Sequence, residues 1–156
     1  MLQRLARREY LRGLRALERG DLDALLAQFD GRCQFEFTGD SPLGAQLSGS
    51  VELRRWFERF LRLLPEPRFD VRRVVSAGPP WRQQLTAHVV IHSSIAGAPY
   101  ENQFAHFLVL RWGKVVHDLV IEDTQRWARG CERLVASGVA EAAEGRMTSA
   151  SVGASR

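Results

Sequence analysis

Apolar residues recur at helical spacing through residues 2–18, where Leu2, Leu5, Tyr10, Leu14 and Leu17 share one side. This predicts a first helix, ended by Gly20. Asp21 is placed to cap a short second helix, Leu22 to Phe29, broken at Gly31. The period then falls to two. Cys33-Gln34-Phe35-Glu36-Phe37 alternates apolar and polar, which predicts a strand with one buried face. Thr38 to Gly49 is rich in Gly, Ser and Pro and reads as a loop. Ser48 or Ser50 caps a third helix running through Leu64, with Val51, Leu53, Trp56, Phe57, Phe60, Leu61 and Leu64 inward. Pro65 and Pro67 end it.

From Phe69 the pattern is that of strands: Arg68 to Ser76, Arg82 to Ile95, Tyr100 to Leu110 and Lys114 to Ile121. The short turns Gly78-Pro79-Pro80, Ala96-Gly97-Ala98 and Trp112-Gly113 make them an antiparallel meander. Residues 124–136 form a last helix. From Gly138 onward there is no Leu, Ile, Phe, Trp or Tyr, so residues 137–156 are expected to be a disordered tail behind a single domain, 1–136. Helices on one face of an antiparallel sheet define an α+β fold.

Composition narrows the class. The chain has 156 residues, 45% hydrophobic and 26% charged, which suits one globular domain and excludes wholesale disorder. The apolar run Phe107-Leu108-Val109-Leu110 is far too short to cross a bilayer, and the arginine-rich start lacks the apolar core of a signal peptide. A cytoplasmic protein is expected. The formal charge is +4, and residues 1–20, with six Arg and two Glu, carry the same excess. Arg4, Arg8, Arg12, Arg15 and Arg19 form one helical stripe, read as a solvated outer face and not as a phosphate site. No nucleic-acid or membrane partner is expected. Cys33 and Cys131 lack metal-site or disulfide spacing and read as small buried residues or free thiols.

Four segments fall in a familiar order: Leu17-Glu18-Arg19-Gly20-Asp21-Leu22-Asp23-Ala24-Leu25; Phe35-Glu36-Phe37 with Gly44 and Gly49; Tyr100-Glu101-Asn102; and Gly113-Lys114-Val115-Val116. Over about residues 8–127 the chain resembles the SnoaL-like branch of the nuclear transport factor 2-like superfamily. The resemblance implies a cone, in which a curved sheet wraps around three N-terminal helices and leaves an apolar pocket at the open end. It also implies a homodimer. Ketosteroid isomerase-like isomerases, polyketide cyclases, dehydratases, epoxide hydrolases and non-catalytic binders all belong there, so fold alone does not select among them.

The last hairpin carries the candidate chemistry. A three-residue loop Arg111-Trp112-Gly113 places His106 directly opposite Asp118, Phe104 opposite Val120 and Asn102 opposite Glu122. A carboxylate beside an imidazole stabilises its protonated form and fixes the tautomer, leaving the second ring nitrogen free to move a proton. A Glu inside an apolar cone is held protonated towards neutral pH and serves as an acid. Hydrophobicity alone would bury the opposite face, with Ala105, Phe107, Val109, Val115, Leu119 and Ile121. The resemblance reverses this. It aligns the oxyanion-stabilising acid of the isomerases with His106, aligns pocket positions with Asp118, Val120 and Glu122, and makes the apolar face the dimer surface.

The chain departs from the family pattern at three places. The helix-1 tyrosine aligns with Gly13, with Tyr10 one turn earlier as its substitute. The first-strand carboxylate aligns with Phe37, and the cyclase acid of the last strand aligns with Val120. The epoxide hydrolase Asp–Arg–Asp set is not recognisable. Asp40 reads as a turn residue, with the pocket mouth as the alternative. His88 and His92 are four residues apart, about 13 Å on a strand, too far for one ion, and read as outward sheet residues. The other option, a two-histidine dehydratase site, needs His88 beside His106.

No dinucleotide, P-loop, zincin or nucleophile-elbow motif is present, so no cofactor or metal is expected. The expected function is a cofactor-independent isomerase, dehydratase or cyclase acting on a small, largely apolar carbonyl compound. His106, Asp118 and Glu122 are its catalytic groups. Asn102, Phe104, Val120, Tyr10, Phe37, Trp56 and Phe60 bind the substrate. The alternative is a non-catalytic member that binds a small ligand or a protein.

Overall fold

Helix α1 (Leu2–Glu18) leads, followed by α2 (Leu22–Leu26), β1 (Phe29–Phe37), β2 (Ala45–Ser48) and α3 (Ser50–Leu63). Then come β3 (Arg68–Ala77), β4 (Gln83–Ile95), β5 (Ala98–Arg111), β6 (Lys114–Glu122) and α4 (Thr124–Ala136). A 3-10 turn (Ala140–Ala143) and a short β7 (Met147–Thr148) complete the order. The computed structural model describes residues 2–149. No described helix is long and apolar enough to cross a membrane.

The strands form one curved, unclosed sheet in the order β3-β4-β5-β6-β1-β2-β7. The meander β3 to β6 is antiparallel, but β1 lies parallel to β6, so the sheet is mixed. Helices α1 and α3 bury their apolar rows against its concave face. On α1 that row is Ala6, Tyr10, Leu14 and Leu17, whereas Leu5 faces solvent. The arginine stripe is exposed as expected. On α3, Leu53, Trp56, Phe57, Phe60 and Leu63 are buried, and Val51 is exposed. Asp21 caps α2 by accepting from Ala24 N (3.1 Å). Neither Ser48 nor Ser50 caps α3: Gly49 is the N-cap, and Ser48 Oγ instead accepts from Gln34 Nε2.

Two segments depart from the sequence pattern. Within the expected loop 38–49, Ala45 to Ser48 alternates buried and exposed and pairs with β1. Beyond residue 137, where a structureless tail is expected, the chain docks. Arg62 grips Glu141 with two bonds (3.0 and 2.6 Å), Arg59 pairs with Glu141 and Glu144, and Ala142 is buried. These contacts bring Met147 alongside Ala45 in parallel pairing. Residues 150–156 of that expected tail lie outside the described residues.

Strand β3 forms the opposite edge. Glu18 accepts a hydrogen bond from Phe69 N (2.8 Å), Arg15 donates to Phe69 O (3.4 Å), and a register shift interrupts the ladder between Val71 and Arg73.

Candidate functional site

The tip of the β5–β6 hairpin sets the geometry of the site. Trp112 (φ 50°) and Gly113 (φ 79°) are both left-handed, so the loop has two residues, with Arg111 facing Lys114. A bulge at Val116 then shifts the ladder. His106 faces Val120, Leu108 faces Asp118 and Phe104 faces Glu122. The pairings expected from a three-residue loop are therefore displaced by two residues. Parity is preserved, so the polar residues share a face and meet diagonally. The bulge also turns Val115 inward, away from the outer face where alternation places it.

That inner face closes one side of a cavity of about 110 Å³ between the sheet and helices α1 and α3. The walls are mainly aromatic. Trp56 packs against Phe35, Phe37 and Phe60 at centroid distances of 4.6, 5.3 and 5.6 Å. Phe69 and Phe104 meet edge to face at 6.2 Å. An apolar cavity of ~150 Å³ holds a single aromatic ring, so this one is of small-molecule scale.

One polar group stands on its lining. His106 Nε2 is 2.6 Å from Asp118 Oδ1, and His106 Nδ1 is 3.0 Å from Tyr10 Oη. Asp118 is 2% exposed, and His106 shows 13% of its side chain to solvent. With a neutral ring, Nε2–H donates to the carboxylate and Nδ1 accepts from the Tyr10 hydroxyl. Both ring nitrogens are thus engaged, where the sequence expectation leaves one free. Tyr10, His106 and Asp118 all line the cavity, and the Tyr10 hydroxyl ends the chain of bonds. Burial, and then the Asp118 charge, push the Tyr10 phenol far above its ordinary value, so it stays protonated.

A second polar group lies further along the same face. Asn102, 1% exposed, donates through Nδ2 to Tyr100 Oη (3.0 Å) and Asp123 O (3.1 Å), with a longer contact to Glu122 Oε2 (3.4 Å). Glu122 Oε1 is buried and has no hydrogen-bond partner. Burial, reinforced by Asp123, raises the Glu122 carboxyl to about 8. Helix α4 closes this end, with Trp127 against Tyr100 (6.0 Å) and Trp127 Nε1 donating to Ser41 Oγ (3.1 Å).

The structure brings together His106, Asp118, Glu122, Phe104, Val120, Tyr10, Phe37, Trp56 and Phe60 on the cavity lining. Asn102 stands behind Glu122. Asp40 is exposed and off the cavity. His88 points outward to Gln103 (2.9 Å) and His92 to Glu101 (3.4 Å), so no second histidine joins His106. Among the described residues no three His, Cys, Asp or Glu side chains are grouped as metal ligands. Burial pushes the free thiols of Cys33 and Cys131 up to about 12.

The sequence pattern gives no sign of Gln28. Its Nε2 donates to Glu9 O (2.9 Å), and its Oε1 fills the notch beside Gly13, where a Cβ would collide with it. The absent side chain at position 13 is thus replaced by a carboxamide from the turn between α2 and β1. Only the glycine itself hinted at close approach.

Residues 8–118 match the SnoaL-like domain model. The chain therefore belongs to the SnoaL-like family. No curated protein sequence matches it. Among solved structures, PrhC from Penicillium brasilianum is similar over 90% of this chain and 94% of its own, at 18% identity and a TM-score of 0.77. A nuclear transport factor 2-like protein from Burkholderia thailandensis aligns over 80% and 95%, with 19% identity and a TM-score of 0.67. TerC, co-crystallised with polyporic acid, aligns over 80% and 95%, with 16% identity and a TM-score of 0.64. At these identities the likeness is one of fold.

Proposed function

We propose that the protein is a cofactor-independent enzyme of the isomerase, dehydratase or cyclase type, acting on a small, largely apolar carbonyl compound. The observation that carries this reading is the hydrogen-bonded chain Asp118–His106–Tyr10, which ends in an aromatic-walled cavity. When the imidazole holds a second proton, Nδ1–H donates to Tyr10 Oη, and the tyrosine O–H is released towards a substrate carbonyl oxygen. Asp118 balances the imidazolium charge. Negative charge gathering on a polarised carbonyl oxygen is thereby met by a positioned donor. Glu122, held protonated by burial, is suited to protonate a leaving hydroxyl or a second oxygen. TerC, of similar fold, was co-crystallised with polyporic acid, which supports a small organic molecule as the ligand.

The test is a screen of enones and β-hydroxy ketones, followed by His106→Ala and Asp118→Asn. Both variants are expected to lose turnover; a detected turnover unchanged in both rejects the assignment.

The second reading is a non-catalytic binder. It is favoured by Phe37 and Gly13, which stand where family members carry catalytic groups. Ligands that raise the melting temperature with no turnover in the screen select it.

We also infer a homodimer through the outer sheet face, where Phe107 and Ile121 are 39% and 43% exposed. Sedimentation of Phe107→Glu tests it. A wild-type monomer, or a dimer unaffected by that change, rejects it.

A further inference from the structure

The chain contains 22 lysines and arginines, and none of the described ones lines the cavity. The charged lining is three carboxyl groups, Glu9, Asp118 and Glu122, with His106 as the single group able to become cationic. Two of the carboxyls have strong partners: Asp118 is held by His106, and Glu9 pairs with Arg12 at 2.5 Å towards solvent. Glu122 differs. One oxygen takes a long contact from Asn102 and the other has no partner, with Phe104 directly across the ladder.

An anion entering this end would lose its hydration beside carboxyl groups and find no counter-charge, which is strongly unfavourable. A hydrogen-bond donor supplies the partner that Glu122 Oε1 lacks. A protonated amine supplies charge as well. It restores the ionised carboxylate that burial suppresses, and aromatic faces add to the attraction.

We propose that the cavity selects ligands by charge: it seats an amine, or less tightly a hydroxyl, on Glu122 and turns away carboxylates and phosphates. This rests on the reading of the cavity as a ligand site and narrows its ligands to amino- or hydroxy-substituted compounds.

Cinnamylamine, cinnamyl alcohol and cinnamate share one frame and differ in charge. Their binding to the whole chain near neutral pH is measured by ligand-observed NMR and thermal shift. The amine is expected to bind about tenfold or more tighter than cinnamate, with the alcohol between them. Glu122→Gln is expected to weaken the amine about tenfold and the alcohol less than about threefold. Equal affinities, cinnamate tightest, or an amine preference that survives Glu122→Gln each overturns the selection by charge and leaves the ligand site standing. Binding by none of the three, nor by any enone or β-hydroxy ketone, overturns both.

Discussion

Two polar groups sit on one face of the β5–β6 hairpin, and they are built differently. In the His106 group every strong hydrogen-bonding atom named above has a partner: Asp118 on one side of the ring and Tyr10 on the other. In the Glu122 group a carboxyl oxygen is buried without one. A completed chain of donors and acceptors can pass a proton with little rearrangement. An incomplete one gains stability when something else completes it. On the function proposed above, the first group is the relay for protons, and the second is the one that a bound ligand would complete.

The largest expected effect breaks the first group. His106→Ala should lower turnover of an accepted enone or β-hydroxy ketone by about 10²- to 10⁴-fold in steady-state assays. Next, Asn102→Leu removes the donor shared by Tyr100, Glu122 and Asp123. It should destabilise the protein by about 2–3 kcal/mol in urea unfolding. An effect near zero would mean that the second group is not held together by Asn102. Tyr10→Phe removes the end member of the chain Asp118–His106–Tyr10. It should cost about 10- to 100-fold in turnover while leaving the His106–Asp118 contact in place. Unchanged turnover would return the substrate-facing role to the imidazole.

A further effect concerns pH. Glu122 titrates near 4.5 when unfolded and near 8 when folded. Between these values the native chain keeps a proton that the unfolded chain releases. Its contribution to stability is therefore full below about pH 4.5 and declines as pH rises through about 8. The melting temperature of Glu122→Gln relative to wild type should accordingly rise by several degrees from pH 5 to pH 9. A difference that stays flat with pH would place the Glu122 carboxyl in water.

Much of this was legible from periodicity. The helices, the meander and the alternation that puts His106, Asp118, Val120 and Glu122 on one side all follow from local pattern. The side chosen as inward did not follow from hydrophobicity, which favours burying Phe107 and Ile121. It becomes tolerable because Tyr10, His106 and Asp118 satisfy one another. The register was not legible either. Trp112, a bulky residue, takes a left-handed conformation that usually belongs to Gly or Asn, and the bulge at Val116 has no sequence signal. The docked C-terminal segment was missed because arginines on α3 hold it through charge, with little apolar content to betray it.

Strand β3 carries a consequence of its own. Its ladder with β4 shifts register between Val71 and Arg73, Glu18 and Arg15 occupy the main-chain groups of Phe69, and Arg68 and Arg73 add positive charge beyond the Arg72–Asp70 pair (2.9 Å). A second molecule approaching to extend the ribbon would meet an irregular ladder and like charge. The protein is thereby guarded against self-templated growth along that border, and concentrated solutions should resist fibril formation for as long as the first helix stays folded.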